Sequence, residues 1–114
     1  MNQNLQSSFR ALGDTTRRQI LLELKREDLT ISEVVDKFDL TRTAVRKHLT
    51  ILEEGNLITV VPRGKERINR LNHTGLKATA DWFNYFDQYW DKALGSLKDT
   101  IESNARQSTS EKNQ

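Results

Sequence analysis

Between Leu29 and Gly55 the chain carries two helix beginnings eleven residues apart, then one helix ending, and few folds accommodate that spacing. Thr30-x-x-Glu33 is a capping box, in which each side chain can bond the backbone N–H at the other's position. Leu29 and Val34 occupy the matching hydrophobic-staple positions, and the apolar residues Val35 and Phe38 follow. Thr41 repeats the device, with Leu40 and Val45 as its staple pair. Val45, Leu49 and Leu52 then share one helical face at i, i+4 and i+7. Gly55 stands where a C′ glycine would stop that helix. A short helix, the tight turn "FDL" and a second helix form a helix-turn-helix pattern.

The flanking segments are read in the same way. Leu5, Phe9 and Leu12 predict a first helix, and Asp14 caps a second whose apolar face is Ile20, Leu21 and Leu24. After Gly55 the period changes. "LITVVP" and "ERINRL" read as two strands joined by the glycine turn "RGK", with Pro62 marking a strand end or an edge strand. Asn72 caps one last helix, predicted to run to about Glu102 with a length of roughly 45 Å. The expected fold is mainly α with a small β-hairpin. Residues 1–102 are expected to form one domain, and 103–114 a disordered polar tail.

Several functional classes are disfavoured by what the chain lacks. With no cysteine, disulfides, thiolate metal sites and thiol nucleophiles are excluded. No Gly-rich phosphate loop, Ser/His/Asp constellation or His pair at metal spacing is present, so an enzyme is not expected. No apolar run approaches the roughly 20 residues of a membrane span, and "MNQNLQSSFR" does not read as a signal peptide. A cytoplasmic protein without cofactors is expected.

Net charge is only +2, but it is unevenly distributed. Residues 42–70 hold seven basic residues against three acidic ones, while 76–114 hold five against six. Local basicity of this kind suits a polyanion partner, although charge alone fits a solvated face equally well. Helical position separates the two readings. At about 100° per residue, Thr43, Arg46, Lys47 and Thr50 fall opposite the apolar face of the second helix, with His48 on the edge of that face. Long cations and short hydroxyls on the N-terminal half of such a helix suit a DNA major groove. Arg42 begins the same helix, His48 is counted with the DNA contacts as a packing or phosphate-contact residue, and Arg63, Lys65 and Arg67 surround the hairpin tip, as a basic wing would. Double-stranded DNA is the expected partner; the alternative is a winged-helix module for protein contact.

The segment from "ALGDTTRRQILLEL" through "LTRTAVRKHLTILEEGNL" to "RGKERINRLN" resembles the ArsR-type winged-helix repressors over about residues 5–102. Their Ser-x-His-Leu-x-x-Leu recognition-helix motif is similar to Arg46–Leu52, with arginine where serine usually stands. The resemblance implies a homodimeric bacterial repressor. Arsenic-sensing members carry Cys-x-Cys where this chain has Thr30 and Ser32. Zinc-sensing members use histidines and carboxylates on the last helix, which here holds only His73, at its start, and the pair Asp87 and Asp91. No metal site is expected, so the chain resembles the subgroup without metal-binding cysteines.

The last helix carries a long apolar stripe that includes Phe83, Phe86, Trp90, Leu94 and Leu97. A small domain leaves the far part of such a stripe uncovered. Its expected cover is the same helix of a second copy, assisted by Leu5 and Phe9 of the first helix. A small organic inducer seated between the aromatic helices is a further alternative; its identity is not encoded in any motif of the chain.

Overall fold

The computed structural model describes residues 3–112, apart from the side chains of 3, 4, 88, 90, 98 and 105–112. Its elements are α1 (Gln3–Leu12), α2 (Thr15–Arg26), β1 (Leu29–Thr30), α3 (Ile31–Phe38), α4 (Arg42–Glu54), β2 (Ile58–Arg63), β3 (Glu66–Leu71), α5 (His73–Asn84) and α6 (Asp87–Lys112). Two compact units divide the chain, Met1–Ala80 and Asp81–Gln114, so the boundary falls inside α5.

The predicted caps form. The Asp14 carboxylate accepts from Arg17 N, and the Thr41 hydroxyl accepts from Ala44 N. Both halves of the Thr30/Glu33 capping box are made, at 3.2 and 2.9 Å. Asn72 caps α5 by accepting from Gly75 N at 3.0 Å. The α3–α4 corner is produced by Asp39 in the left-handed region at φ 50°.

The hairpin is part of a three-stranded antiparallel sheet of order β1-β3-β2. The short strand β1 pairs Leu29 with Asn69 and Thr30 with Ile68. In the hairpin, Arg63 pairs with Glu66 around Gly64–Lys65, and Gly64 has φ 64°. A positive φ at the first central residue suits the right-handed strand twist. Pro62 lies on β2, an edge strand, where its missing N–H breaks no ladder.

Core residues come from α1, α2, β1, α3, α4, β2 and the turn before β2: Ala11, Ile20, Leu24, Leu29, Val34, Val45, Leu52, Leu57 and Ile58 are all buried. The buried Asn69 amide donates to the Leu29 carbonyl at 3.1 Å, so its burial is compensated.

Three expectations are revised. Gly55 is not left-handed, with φ −81°; Asn56 takes that conformation at φ 61°. Glycine is required at 55 for space, because a Cβ there would meet the Ser7 carbonyl oxygen at 2.8 Å. The single long last helix is two helices, separated at Tyr85–Phe86. There Tyr85 N bonds Trp82 O and Phe86 N bonds Phe83 O, three-residue closures that tighten the end of α5. Within this segment Trp82 packs against Phe83 and Phe86, at ring-centroid distances of 5.3 and 5.1 Å. Finally, α6 continues to Lys112, ten residues past the expected end. Residues 103–112 contain neither Pro nor Gly, so the loss of apolar period there removes a reason for burial but not for helix.

Gly75 is the most closely packed of the glycines: a Cβ there would lie 1.6 Å from the Asn56 carbonyl oxygen. Gly75→Ala is expected to destabilise by about 3 kcal/mol or more, at the upper end of overpacking costs. Gly95→Ala, in open space on α6, should be neutral or stabilise by up to about 1 kcal/mol. Urea unfolding of both variants measures this; equal midpoints would contradict the packing of α5 on the Gly55–Leu57 turn.

Candidate nucleic-acid interface

Helix α4 is held by its inner face and displays its outer one. Val45 and Leu52 are fully buried and Leu49 nearly so, whereas Thr43, Arg46, Lys47 and Thr50 are exposed, as the helical wheel predicts. Arg42 is exposed at the start of α4, and its guanidinium donates to Ser32 Oγ at 3.0 Å. Arg63, Lys65 and Arg67 are exposed around the hairpin tip.

Two depressions flank the outer face of α4. One, of about 520 Å³, separates α4 from the hairpin and the start of α3, and its walls include Arg42, Arg46, Lys65 and Arg67 over a floor containing Leu49 and Val60. The other, of about 590 Å³, lies between α4 and α1 and is bordered by Arg10, Thr43, Arg46, Lys47 and Thr50. Arg46 and Thr50 line both, so they form the ridge between them, with Arg46 its long side chain. Together six cations line the two depressions against three carboxylates, Glu53, Glu54 and Glu66. Two of those carboxylates lie at the C-terminal end of α4, farthest from the outward cations of its first two turns.

Arg10 is the residue that sequence reasoning missed. Its place beside α4 follows from close packing of α1 on the end of α4, where the Ser8 hydroxyl donates to the Gly55 carbonyl at 2.7 Å. Small residues at Ser7, Ser8 and Ala11 are the only trace of that approach in the sequence. Arg70, by contrast, is turned away in an ion pair with Asp28, at 2.8 Å.

His48 is half-buried and faces the α1–α2 corner rather than the groove side. Its Nδ1 is 3.3 Å from Arg17 Nη1 and 3.9 Å from Asp14 Oδ2. The bond from the Arg17 backbone N–H holds the Asp14 carboxyl below its ordinary value, and the Arg17 guanidinium adds to this. Thr30 and Ser32, at the positions discussed as thiolate sites, are both engaged, one in the capping box and one with Arg42. Among the described residues no three His, Cys, Asp or Glu side chains gather as a metal set, and no helix is long and apolar enough to cross a membrane.

The expected self-contact residues lie on α1, α5, α6 and, for Phe86, the link between the last two. Leu5 and Phe9 on α1 are half-buried. Phe83, Phe86, Leu94 and Leu97 are exposed, Leu94 by 60% and Leu97 by 56%. The Trp90 side chain lies outside the described residues.

The comparisons agree with this architecture. A family described as a helix-turn-helix domain matches residues 12–61. The uncharacterized HTH-type transcriptional regulator YuzN of Bacillus subtilis is 45% identical over 84 residues, covering 68% of this chain and 91% of that protein. An ArsR-like transcriptional regulator from Rhodococcus superposes with a TM-score of 0.68 at 34% identity, over 84% of this chain and 91% of the other. This chain belongs to the ArsR family of transcriptional regulators. A further relative, the transcriptional repressor SdpR of Bacillus subtilis, is 31% identical over 75% of this chain and 96% of its own length. Membership makes the chain a DNA-binding regulator with a winged helix-turn-helix, in which α3 and α4 are the motif and the β2–β3 hairpin is the wing.

The capping box that starts α3, the first helix of the motif, carries its own pH signature. The Thr30 backbone N–H, and then its hydroxyl, hold the Glu33 carboxyl below its ordinary value. A carboxylate depressed by folding contributes stability that is complete above its unfolded value and disappears as pH falls through the folded one. Glu33→Gln should therefore melt below the parent protein at pH about 7, with the gap closing as pH drops below about 4. Thermal melts across that range test it; a gap that persists undiminished into acid would remove the charge from the argument.

Proposed function

We propose that the protein is a repressor that binds a palindromic operator in double-stranded DNA as a homodimer, without responding to metal ions. The observation that carries this reading is the exposed N-terminal half of α4, with Arg46 on a ridge between two cation-lined depressions. A B-DNA major groove admits one α-helix, and Thr43, Arg46, Lys47 and Thr50 are the side chains that would meet base edges there. Arg42 sits at the helix start as a phosphate contact. Arg63, Lys65 and Arg67 reach the backbone or minor groove on one flank, and Arg10 reaches the backbone on the other. The placement of His48 favours a supporting role over a direct contact. A protein of this kind works in the cytoplasm and catalyses no reaction. The name of SdpR supports repression as the direction of control.

Binding isotherms at several salt concentrations, on an operator selected from a random pool and on a scrambled duplex, test the docking. Arg46→Ala should lower operator affinity by about 1–3 kcal/mol more than scrambled affinity, because a base contact discriminates. Arg10→Ala and Lys65→Ala should weaken both duplexes alike and flatten the log K against log salt slope by about two units in a dimer. The opposite pattern, with Lys65→Ala abolishing sequence preference, would assign base reading to the wing.

Exposed apolar side chains on α6 support self-association. Leu94, Leu97 and Ile101 recur at i, i+3 and i+7, and each is more than half exposed. A second copy is the cover consistent with a palindromic site. Sedimentation equilibrium at micromolar concentration should give a dimer for the parent chain and a monomer for Leu94→Glu/Leu97→Glu. A parent chain that sediments as a monomer would end the dimer reading.

A further inference from the structure

The Arg17 side chain occupies the point where α1, α2 and α4 meet. Its Nε donates to the Ala11 carbonyl at 2.8 Å and its Nη2 to the Arg10 carbonyl at 2.9 Å. Its Nη1 lies 3.3 Å from His48 Nδ1. Its own backbone N–H donates to Asp14 Oδ2 at 3.1 Å, so the residue is anchored at both ends. The two carbonyls belong to the last turn of α1, where acceptors run short of intrahelical donors and a cation is favoured; the Arg10 carbonyl also accepts from Gly13 N at 3.2 Å. Arginine only donates, so this contact is a hydrogen bond in the tautomer that keeps its proton on Nε2 and leaves Nδ1 to accept. One planar guanidinium therefore grips the end of α1 and the edge of α4 at once.

Those two helices border the depression that holds Arg10, Arg46 and Lys47. Arg17 grips the carbonyl of Arg10, whose side chain lines one wall, and His48, which adjoins Lys47 on the other. Outer side-chain atoms lie about 5–6 Å from a helix axis, so a rotation of about 10° displaces them by about 1 Å. Hydrogen bonds to base edges weaken over a few tenths of an ångström. The buried side chains of α4 resist its removal from the core, but apolar contacts are not directional and leave rotation about its axis less well fixed. A hydrogen bond to a ring on the edge of the helix constrains that rotation directly.

We propose that Arg17 is a positioning residue for DNA reading, which fixes the rotation of α4 through His48 with the end of α1 as its anchor. The proposal rests on the reading that α4 enters the major groove. Arg17 itself touches no DNA; it sets where Arg46 and Lys47 stand relative to Arg10.

The test is a double-mutant cycle of Arg17→Lys and His48→Ala on operator and scrambled duplex, with thermal melting alongside. Lysine keeps the charge, but its three donors radiate from one nitrogen and cannot reproduce the planar fork whose Nε, Nη1 and Nη2 each meet a different acceptor. Each single variant should lose about tenfold in operator affinity and at most about twofold on scrambled duplex, the signature of lost discrimination without lost phosphate contact. The double variant should lose no more than about tenfold, because both changes break one contact. His48→Asn, whose side-chain oxygen can accept near the place of Nδ1, should stay within about threefold of the parent. A merely structural role would lower melting temperature and both affinities together. Losses that multiply to about a hundredfold in the double variant, or His48→Asn as impaired as His48→Ala, would overturn the proposal. Should Arg17→Lys fail to fold, the His48→Ala and His48→Asn pair decides alone. Arg46→Ala measured in parallel separates the two levels: if it too spares discrimination, the docking of α4 fails and the positioning role falls with it.

Discussion

Close approach of backbone to backbone at the Gly55–Leu57 turn underlies the arrangement of the DNA-binding unit. Three helices reach this turn. Helix α4 ends on it, α1 lies against Gly55, and the first turn of α5 rests on the Asn56 carbonyl. None of these approaches leaves room for a Cβ at Gly55 or Gly75. The turn is further tied by the Ser8 hydroxyl to the Gly55 carbonyl and by Asn72 N to the Leu57 carbonyl at 2.9 Å. Packing at van der Waals distance restricts sliding, and the hydrogen bonds restrict separation. The end of the recognition helix is thereby fixed to the rest of the unit, while its beginning is fixed by the Thr41 cap and the Asp39 corner.

With both ends held, the remaining freedom of α4 is rotation about its own axis, and the polar contacts at its edge act on that. Arg42 reaches Ser32 on one side and His48 meets Arg17 on the other. These bonds are part-buried or exposed, so each contributes modestly to stability, on the order of 1 kcal/mol. Their direction matters more than their strength. The apolar face supplies adhesion without direction, and the flanking bonds supply direction with little adhesion.

Much of this was legible in the sequence because helix starts are local. Asp14, Thr30, Thr41 and Asn72 each cap a helix through a partner three residues on, so residue type and spacing suffice. The hairpin was legible for the same reason, since Gly64 sets its turn. What the sequence concealed depends on pairs distant along the chain. The role of Gly55 is decided by Ser7, forty-eight residues earlier, and a stop signal and a space requirement look alike in one sequence. Arg10 joins the basic surface only through the packing of α1. His48 is placed by the sequence on the edge of the core face as a candidate phosphate contact, and its neighbour Arg17, thirty-one residues earlier, is visible only in the fold. The division of the last helix at Tyr85–Phe86 was hidden differently: an unbroken apolar period reports which side a helix buries, not whether its hydrogen bonds run continuously.

The same separation explains how one scaffold can serve different DNA sequences. Thr43, Arg46, Lys47 and Thr50 are exposed and border one depression or, for Arg46 and Thr50, both; none has a place in the core. Exchanging them alters what the groove meets at little cost to folding, because surface substitutions away from caps and buried networks change stability by about 0.5 kcal/mol or less. Val45, Leu49, Leu52, His48 and Arg17 have no such freedom, since each fixes where the outer residues stand. Arginine at position 46, where the recognition-helix motif usually has serine, falls in the free set. It leaves the core unchanged and places a long bidentate donor at the ridge between the two depressions. A guanidinium there reaches farther than a hydroxyl and pairs best with the O6 and N7 acceptors of guanine. On the docking proposed above, the expected consequence of the exchange is a change in operator preference at the bases facing position 46, with the fold unaltered.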